Sequence, residues 1–356
     1  MIKRFELGPY ETWDLLGVKA TVDKMEAMDL KPAAWVYEML EAGNDAFYKI
    51  EKGIKHYYDI PSKSYKVIPG LDELIILENI RETNKVWGNA GASVFDIGDG
   101  VLCLEFHTKM NSMGAEVIEG IQTAISMAEK DYKGLVIGNE GPNFSAGANL
   151  AMLFMYAGDQ DFDEINLMIA QFQNTMKRAK FSSIPVVAAP AGLALGGGCE
   201  LSLHCDAIQA HAETYIGLVE VGVGLIPGGG GTKELALRAA DSYVAGDPEL
   251  NRLQEAFMNI ATAKVATSAE EARGMNILRP TDGITMNRKR LISDAKKKVL
   301  EIYEAGYTQP VERTDIKVQG VTGLALFEAG INGMLFGNYI SEHDAKIARK
   351  ERLDAR

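Results

Sequence analysis

Cysteine is scarce: 356 residues hold only Cys103, Cys199 and Cys205. So few, and odd in number, they carry no disulfide framework and no C-x-x-C metal pair. Cys199 reads as a small packing residue. His56, His107, His204, His211 and His343 show no ligand spacing, so no metal site is expected. His107 and His204 lie in apolar runs and are expected in the core or on a helix face. Positive charge is also short, with 37 Lys and Arg against 49 Asp and Glu, a net charge of −12. Nucleic-acid binding needs concentrated positive charge and is not expected. An anionic small ligand is still allowed, because backbone N–H groups or a local basic cluster can hold it. The first residues, MIKRFELGPYETWD, lack the apolar core of a signal peptide. The longest apolar stretch is broken by prolines, glycines and a carboxylate, so no membrane span and a cytoplasmic location are expected. No G-x-G-x-x-G follows a strand, and no NAD site is expected.

What is present is ordinary globular material, 47% hydrophobic and 24% charged, in a chain long enough for a large core. After Asn89 apolar runs alternate with amphipathic stretches, which implies α/β layering. Strands are expected at 101–106 and 134–139, and helices at 111–130, 163–180, 232–240, 249–263 and 287–305. Ser268 and Gly274 bracket a short helix, and 320–354 holds at least one more. Residues 1–70 read as a small all-helical segment with an aromatic core, and 71–90 as a linker to a domain over 91–356.

The stretch from Ile184 to Gly231 organises the rest. A buried strand over 185–190 turns through glycines into a helix at Gly196-Gly197-Gly198. Glycines at a helix start leave N–H groups bare, and the helix dipole favours a developing oxyanion there. Glu200 follows inside an apolar run, and Glu220 comes after the strand-like DAIQAHAETYIGL. Two isolated carboxylates beside bare N–H groups suit acid/base chemistry next to a polarised carbonyl. The loop NFSAGAN, 143–149, repeats the device: it ends a strand, exposes N–H groups around Gly147-Ala148 and starts a helix.

The segments FSAGANL, ALGGGCEL and IGLVEVGVGLIPGGGGT, in this order over roughly residues 90–355, resemble the crotonase (enoyl-CoA hydratase/isomerase) superfamily. The resemblance implies a spiral of ββα units and an acyl-CoA thioester whose carbonyl accepts N–H bonds from Ala148 and Gly197. It places Glu200 and Glu220 on the two acids of the hydratase branch, adding water across the double bond of a trans-2-enoyl-CoA. Members that only isomerise often keep one acid, so the pair points to hydration. Glu200 is expected to act on the water and Glu220 to supply the C2 proton. Lys109, Met110, Ala146 and Gly196 fall where the family passes CoA. Met152 and Leu153 would line the acyl tail or pack a helix core. Asn149 stands where the family commonly has Asp, and few lysines flank the loop to meet the CoA phosphates.

FELGPYETWDLLGV and the residues after it resemble the tail of the helical domain of 3-hydroxyacyl-CoA dehydrogenase, as in fusion proteins of fatty-acid β-oxidation. The expectation is the hydratase part of such a fusion, without the dehydrogenase's own chemistry and with no cofactor beyond the CoA substrate. Possible partners are a thiolase and the dehydrogenase half, and a homo-oligomer is expected. KIARKERLDAR at the C-terminus is expected to continue in related fusions. Two other readings stay open: an enoyl-CoA isomerase, and an acyl-CoA-binding module silenced by truncation.

Overall fold

A computed structural model describes residues 7–71, 73–244, 246, 249–316 and 319–350. The FE pair that opens the dehydrogenase-like motif and the C-terminal ERLDAR lie outside them. The chain divides into two compact units between Glu82 and Thr83.

The first unit opens with three helices, α1 (Pro9–Leu16), α2 (Val18–Ala27) and α3 (Ala34–Glu41). It does not stay helical. β1 (Tyr48–Glu51), β2 (Ile54–Asp59) and β3 (Ser64–Val67) form an antiparallel sheet, which corrects the all-helical expectation for 1–70. The reason is the two-residue turn Lys52-Gly53, with φ of 52° and 78°. Two positive φ values make the hairpin turn whose twist matches paired strands. Phe47 and Tyr58 are buried with Val22, Val36 and Met39, and the Phe47 ring lies 5.5 Å from that of Trp35. The Asp14 carboxylate ties α1 to the sheet by accepting from the N–H groups of Phe47 and Tyr48 at 2.7 and 3.0 Å.

The linker expected over 71–90 is also redrawn. α4 (Leu77–Ile80) lies within the first unit, where Asn79 donates to the Gly53 carbonyl. β4 (Lys85–Gly88) is an edge strand of the second unit. It is mostly exposed and four residues long, so no apolar run betrays it.

The second unit is built on a seven-stranded sheet. Its strands are β4, β5 (Ala92–Asp96), β6 (Val101–Phe106), β7 (Gly134–Gly138), β8 (Val186–Ala189), β10 (Ala207–His211) and β12 (Gly283–Thr285). The spatial order is β12-β10-β8-β7-β6-β5-β4, parallel from β6 to β12 and antiparallel at β4 and β5. β6, β7, β8 and β10 are buried along their whole length, as parallel strands covered on both faces must be. On one face Leu102, Leu104, Leu135 and Ile137 join Val117, Ile121 and Ile125 of α5 (Ala115–Asp131) in a single core. Each such side chain contributes roughly 1.5–3 kcal/mol by burial.

A second, two-stranded parallel sheet pairs β9 (Gly192–Leu195) with β11 (Thr214–Gly217). Each of these follows a strand of the large sheet, and helices follow them: α8 (Gly197–His204) after β9 and α9 (Gly231–Asp241) after β11. An isolated bridge between Ser145 and Ala194 adds a third row, between β7 and α6 (Leu150–Gly158). This is the ββα repeat that the resemblance implies. DAIQAHAETYIGL is thus two strands in two sheets rather than one. α7 (Phe162–Lys180), α10 (Glu249–Ala261), α11 (Ala269–Gly274), α12 (Leu291–Glu304), α13 (Gly320–Phe336) and α14 (Glu342–Lys350) complete the unit.

Candidate active site

The glycine cluster at the start of α8 serves three separate needs. Gly196 caps the helix at φ 51°, ψ −120°, a conformation that side chains rarely adopt, and its N–H donates to the Gly217 carbonyl at 3.0 Å. A Cβ built on Gly198 would stand 2.9 Å from the Ser145 Cβ, so that glycine lets the 143–149 loop approach. Gly197 keeps its own N–H accessible: among the described residues that N–H has no hydrogen-bond partner.

The 143–149 loop is fixed from two sides. Phe144 and Ser145 donate backbone bonds to Ala191 and Leu193, and Ala146 donates to Met110. The Ser145 hydroxyl donates to the Asn111 carbonyl at 2.7 Å and accepts from the Gly147 N–H at 3.1 Å. Asn149 caps α6 by accepting from Ala151, the same service an aspartate would give. The Ala148 N–H, like that of Gly197, has no partner among the described residues. The two are neighbours. A Cβ on Gly197 would lie 3.5 Å from the Ala148 nitrogen, and one on Gly147 would lie 3.3 Å from the Gly197 nitrogen.

The two acids sit beside these donors in contrasting surroundings. Glu200 is on the first turn of the fully buried α8, 1% exposed. Its Oε1 accepts from the N–H groups of Gly229 and Gly231 at 2.8 and 2.9 Å, at the N-terminus of α9. Glu220 opens a 3₁₀ turn, Glu220–Val223, immediately after the strand that pairs with β9. Its Oε1 lies 3.2 Å from where a Gly196 Cβ would be, and its Oε2 is buried without a partner among the described residues. Burial holds both carboxyls above the usual carboxylate range, and for Glu200 the Glu220 charge adds to it while the glycine N–H groups oppose it. Two such groups titrate as a pair, and burial favours the protonated form of each.

Of the residues expected at a CoA site, Lys109, Met110 and Ala146 are brought together, since the Met110 carbonyl accepts from Ala146 at 3.1 Å. Lys109 and Met110 are exposed on a 3₁₀ turn. Gly196 lies against Glu220, as above. Met152 and Leu153 are on α6, which buries none of its residues; Met152 is 38% exposed and Phe154 83%. Met152 is therefore not packed in a helix core, while Leu153 is half-buried. His204 is buried as expected, with Nδ1 donating to the Glu200 carbonyl at 2.7 Å, and burial holds it down to about 4, hence neutral. His107 departs from expectation: it is exposed just past β6, with a ring nitrogen 3.1 Å from the Ser93 hydroxyl.

Sequence reasoning gave no role to Phe172 or to the glycines 229 and 231. A Cβ on Gly229 would meet Phe172 Cε1 at 2.5 Å and Glu200 Oε2 at 2.7 Å, and one on Gly197 would meet Phe172 Cζ at 2.8 Å. The Phe172 ring of α7 thus walls both the donors and the acid. The glycine run 228–231 that leads into α9 was a legible signal for a bare helix start; nothing local marks Phe172 among the apolar residues of α7.

Residues 96–245, within the second unit, match the enoyl-CoA hydratase/isomerase family of the crotonase superfamily. Over 347 residues, 97% of its length, it is 46% identical to the "Probable 3-hydroxyacyl-CoA dehydrogenase" of Bacillus subtilis (strain 168). It is 33% identical over 218 residues, 61% of its length, to the "Putative fatty acid oxidation complex trifunctional enzyme" of Rickettsia prowazekii (strain Madrid E). The chain spans less than half the length of these relatives, 43% and 29% respectively. The crystal structure of an enoyl-CoA hydratase from Polaromonas sp. JS666 aligns with a TM-score of 0.50 at 18% identity, over 73% of this chain and 89% of that one. At that identity the likeness concerns the fold.

Proposed function

We propose that the chain hydrates a trans-2-enoyl-CoA to the 3-hydroxyacyl-CoA in fatty-acid oxidation. The observation that carries this reading is the pairing of two bare N–H groups with two buried acids whose environments differ. In this reading the thioester oxygen accepts from Ala148 and Gly197, which stabilise the enolate-like charge as it develops. Glu200, in its ionised form, is steadied by two N–H donors on Oε1 and takes a proton from water as the water oxygen bonds to C3. Glu220, with no donor on Oε2, is the acid that holds a proton and delivers it to C2. The double bond is consumed, one water is added, and proton exchange between the acids restores the starting state.

The decisive assay follows loss of enoyl-thioester absorbance with crotonyl-CoA for wild type and Glu200→Gln. Turnover that disappears in the variant supports hydration. Binding of the ester without turnover in the wild type would replace the reading with a silenced binding module. The reading extends to action beside a dehydrogenase and a thiolase in the cytoplasm, but to no hydride transfer by this chain. Reduction of NAD⁺ by the purified chain with 3-hydroxybutyryl-CoA would overturn that last point.

A further inference from the structure

The sequence leaves the phosphates of the CoA nucleotide without cations near the donor loop, yet the fold brings cations there from far along the chain. The turn Asn287-Arg288-Lys289-Arg290 follows β12 and precedes α12. β12 runs parallel to β10, so this turn leaves the sheet at the same edge as the loop that follows β7. Ligands of parallel α/β sheets sit at the carboxyl ends of the strands. The Arg288 guanidinium donates to the Gly141 carbonyl, 147 residues away in sequence. Gly141 belongs to the asparagine cluster that supports the donor loop. A Cβ there would lie 3.3 Å from Asn139 Oδ1 and 3.6 Å from Asn111 Nδ2, and Asn111 donates to the Asn143 carbonyl at 2.8 Å. Asn111 also closes the exposed 3₁₀ turn that carries Lys109.

Arg288, in a turn with two further cations, therefore meets the segment that Asn111, at the end of the Lys109 turn, also supports. Arg288, Lys289 and Lys109 are exposed, and among the described residues Lys109 and Lys289 form no ion pair. The Asn287 side chain accepts from the Lys289 N–H at 3.1 Å and so fixes the turn. Arg290 faces Asp294 at 3.6 Å, and Glu140 is the carboxylate next to Gly141 in the chain. The balance is still positive, four cations to two anions, in a protein with a net charge of −12. Arg288 gives one guanidinium N–H to a neutral carbonyl and keeps the rest of its planar fork, the geometry that suits phosphate oxygens.

We propose that the turn Asn287–Arg290, together with Lys109, binds the phosphate groups of the CoA nucleotide. The inference rests on the acyl-CoA reading above and names the part of the ligand which that reading leaves unheld. Arg288 and Lys289 would hold the phosphates while the pantetheine arm runs past Met110 and Ala146 to the oxyanion donors.

The test compares kcat/KM for crotonyl-CoA with that for crotonyl-pantetheine, which lacks every phosphate, in wild type, Arg288→Gln and Lys289→Gln. Lys289→Gln is the more decisive variant, because it leaves the Arg288 bond to Gly141 in place. The preference for the CoA ester should fall about tenfold for each cation removed, the usual worth of one charge-assisted contact. The preference should also fall with added salt in the wild type and less so in the variants. An unchanged preference, with both esters affected alike, would overturn the proposal and leave the turn as a prop for the loop. Calorimetric titration with CoA and with pantetheine reads the same preference without turnover. A wild type that binds CoA through these cations but hydrates nothing would sink the hydratase reading alone, and no binding of CoA would sink both.

Discussion

Glu200 and Glu220 are both glutamates in apolar stretches, but their surroundings differ. Glu200 is locked in a helix with no exposed residue and has two N–H donors on one oxygen. Glu220 sits on a half-buried turn with a buried oxygen that has no hydrogen-bond partner among the described residues. The glycine N–H groups oppose the burial that raises the Glu200 carboxyl to about 8, whereas Glu220 Oε2 has no donor among the described residues. The pair can thus divide a reaction that needs a base and an acid at the same moment, though the two side chains are chemically identical.

The strongest way to break that contrast is to neutralise each acid in turn. Glu200→Gln and Glu220→Gln should each lower hydration by about 10²–10⁴-fold. Double-bond isomerisation that survives Glu220→Gln, with no hydration in either protein, would leave a one-acid isomerase as the better reading. The contrast also has a stability signature. Burial raises the folded Glu200 carboxyl above its unfolded value of about 4.3, so the stability gained from its protonated form is complete below that value. It is lost as pH rises through the folded value. Glu200→Gln cannot ionise, and its Tm should gain on the wild type steadily from about pH 5 to about pH 8. A pH-independent Tm difference would remove the buried charge from the account.

A smaller effect is expected at the glycines that hold Glu200. Gly229→Ala places a methyl group 2.5 Å from Phe172 and 2.7 Å from Glu200 Oε2, a clash worth roughly 1–3 kcal/mol of stability and a fall in turnover. Gly228→Ala has nothing within 4 Å and is the matched control. Equal thermal melts and equal rates for the two would show that Glu200 does not depend on its cradle. The smallest effect belongs to the donor loop. Asn149→Ala removes the cap of α6 and should cost about 1 kcal/mol, and urea unfolding with no change in midpoint would argue against the cap.

Much of the second unit was legible because its signals are local. The runs VLCLEF and GLVIG are buried strands, Ser268 and Gly274 bracket α11 closely, and the GGG before Glu200 does start a helix. The misses share a cause. β4 and β12 are four and three residues long, too short for any period to show. In residues 48–59 the alternation of a hairpin was hidden among aromatics, and the Lys52-Gly53 turn lacks the Asn-Gly form that usually announces one. The apolar residues of α6 look like core on the sequence, yet none is buried.

The sequence by itself determined which residues could do the chemistry: two acids in apolar runs and two glycine-bearing loops at helix starts. Those are properties of side chains and of backbone conformations a few residues long, and they are written locally. Tertiary structure alone decided which acid receives N–H donors, that Phe172 of α7 walls the site, and that Arg288 reaches a carbonyl 147 residues away. These depend on segments meeting through the sheet order β12-β10-β8-β7, and no local pattern encodes a contact between residues so far apart in the chain.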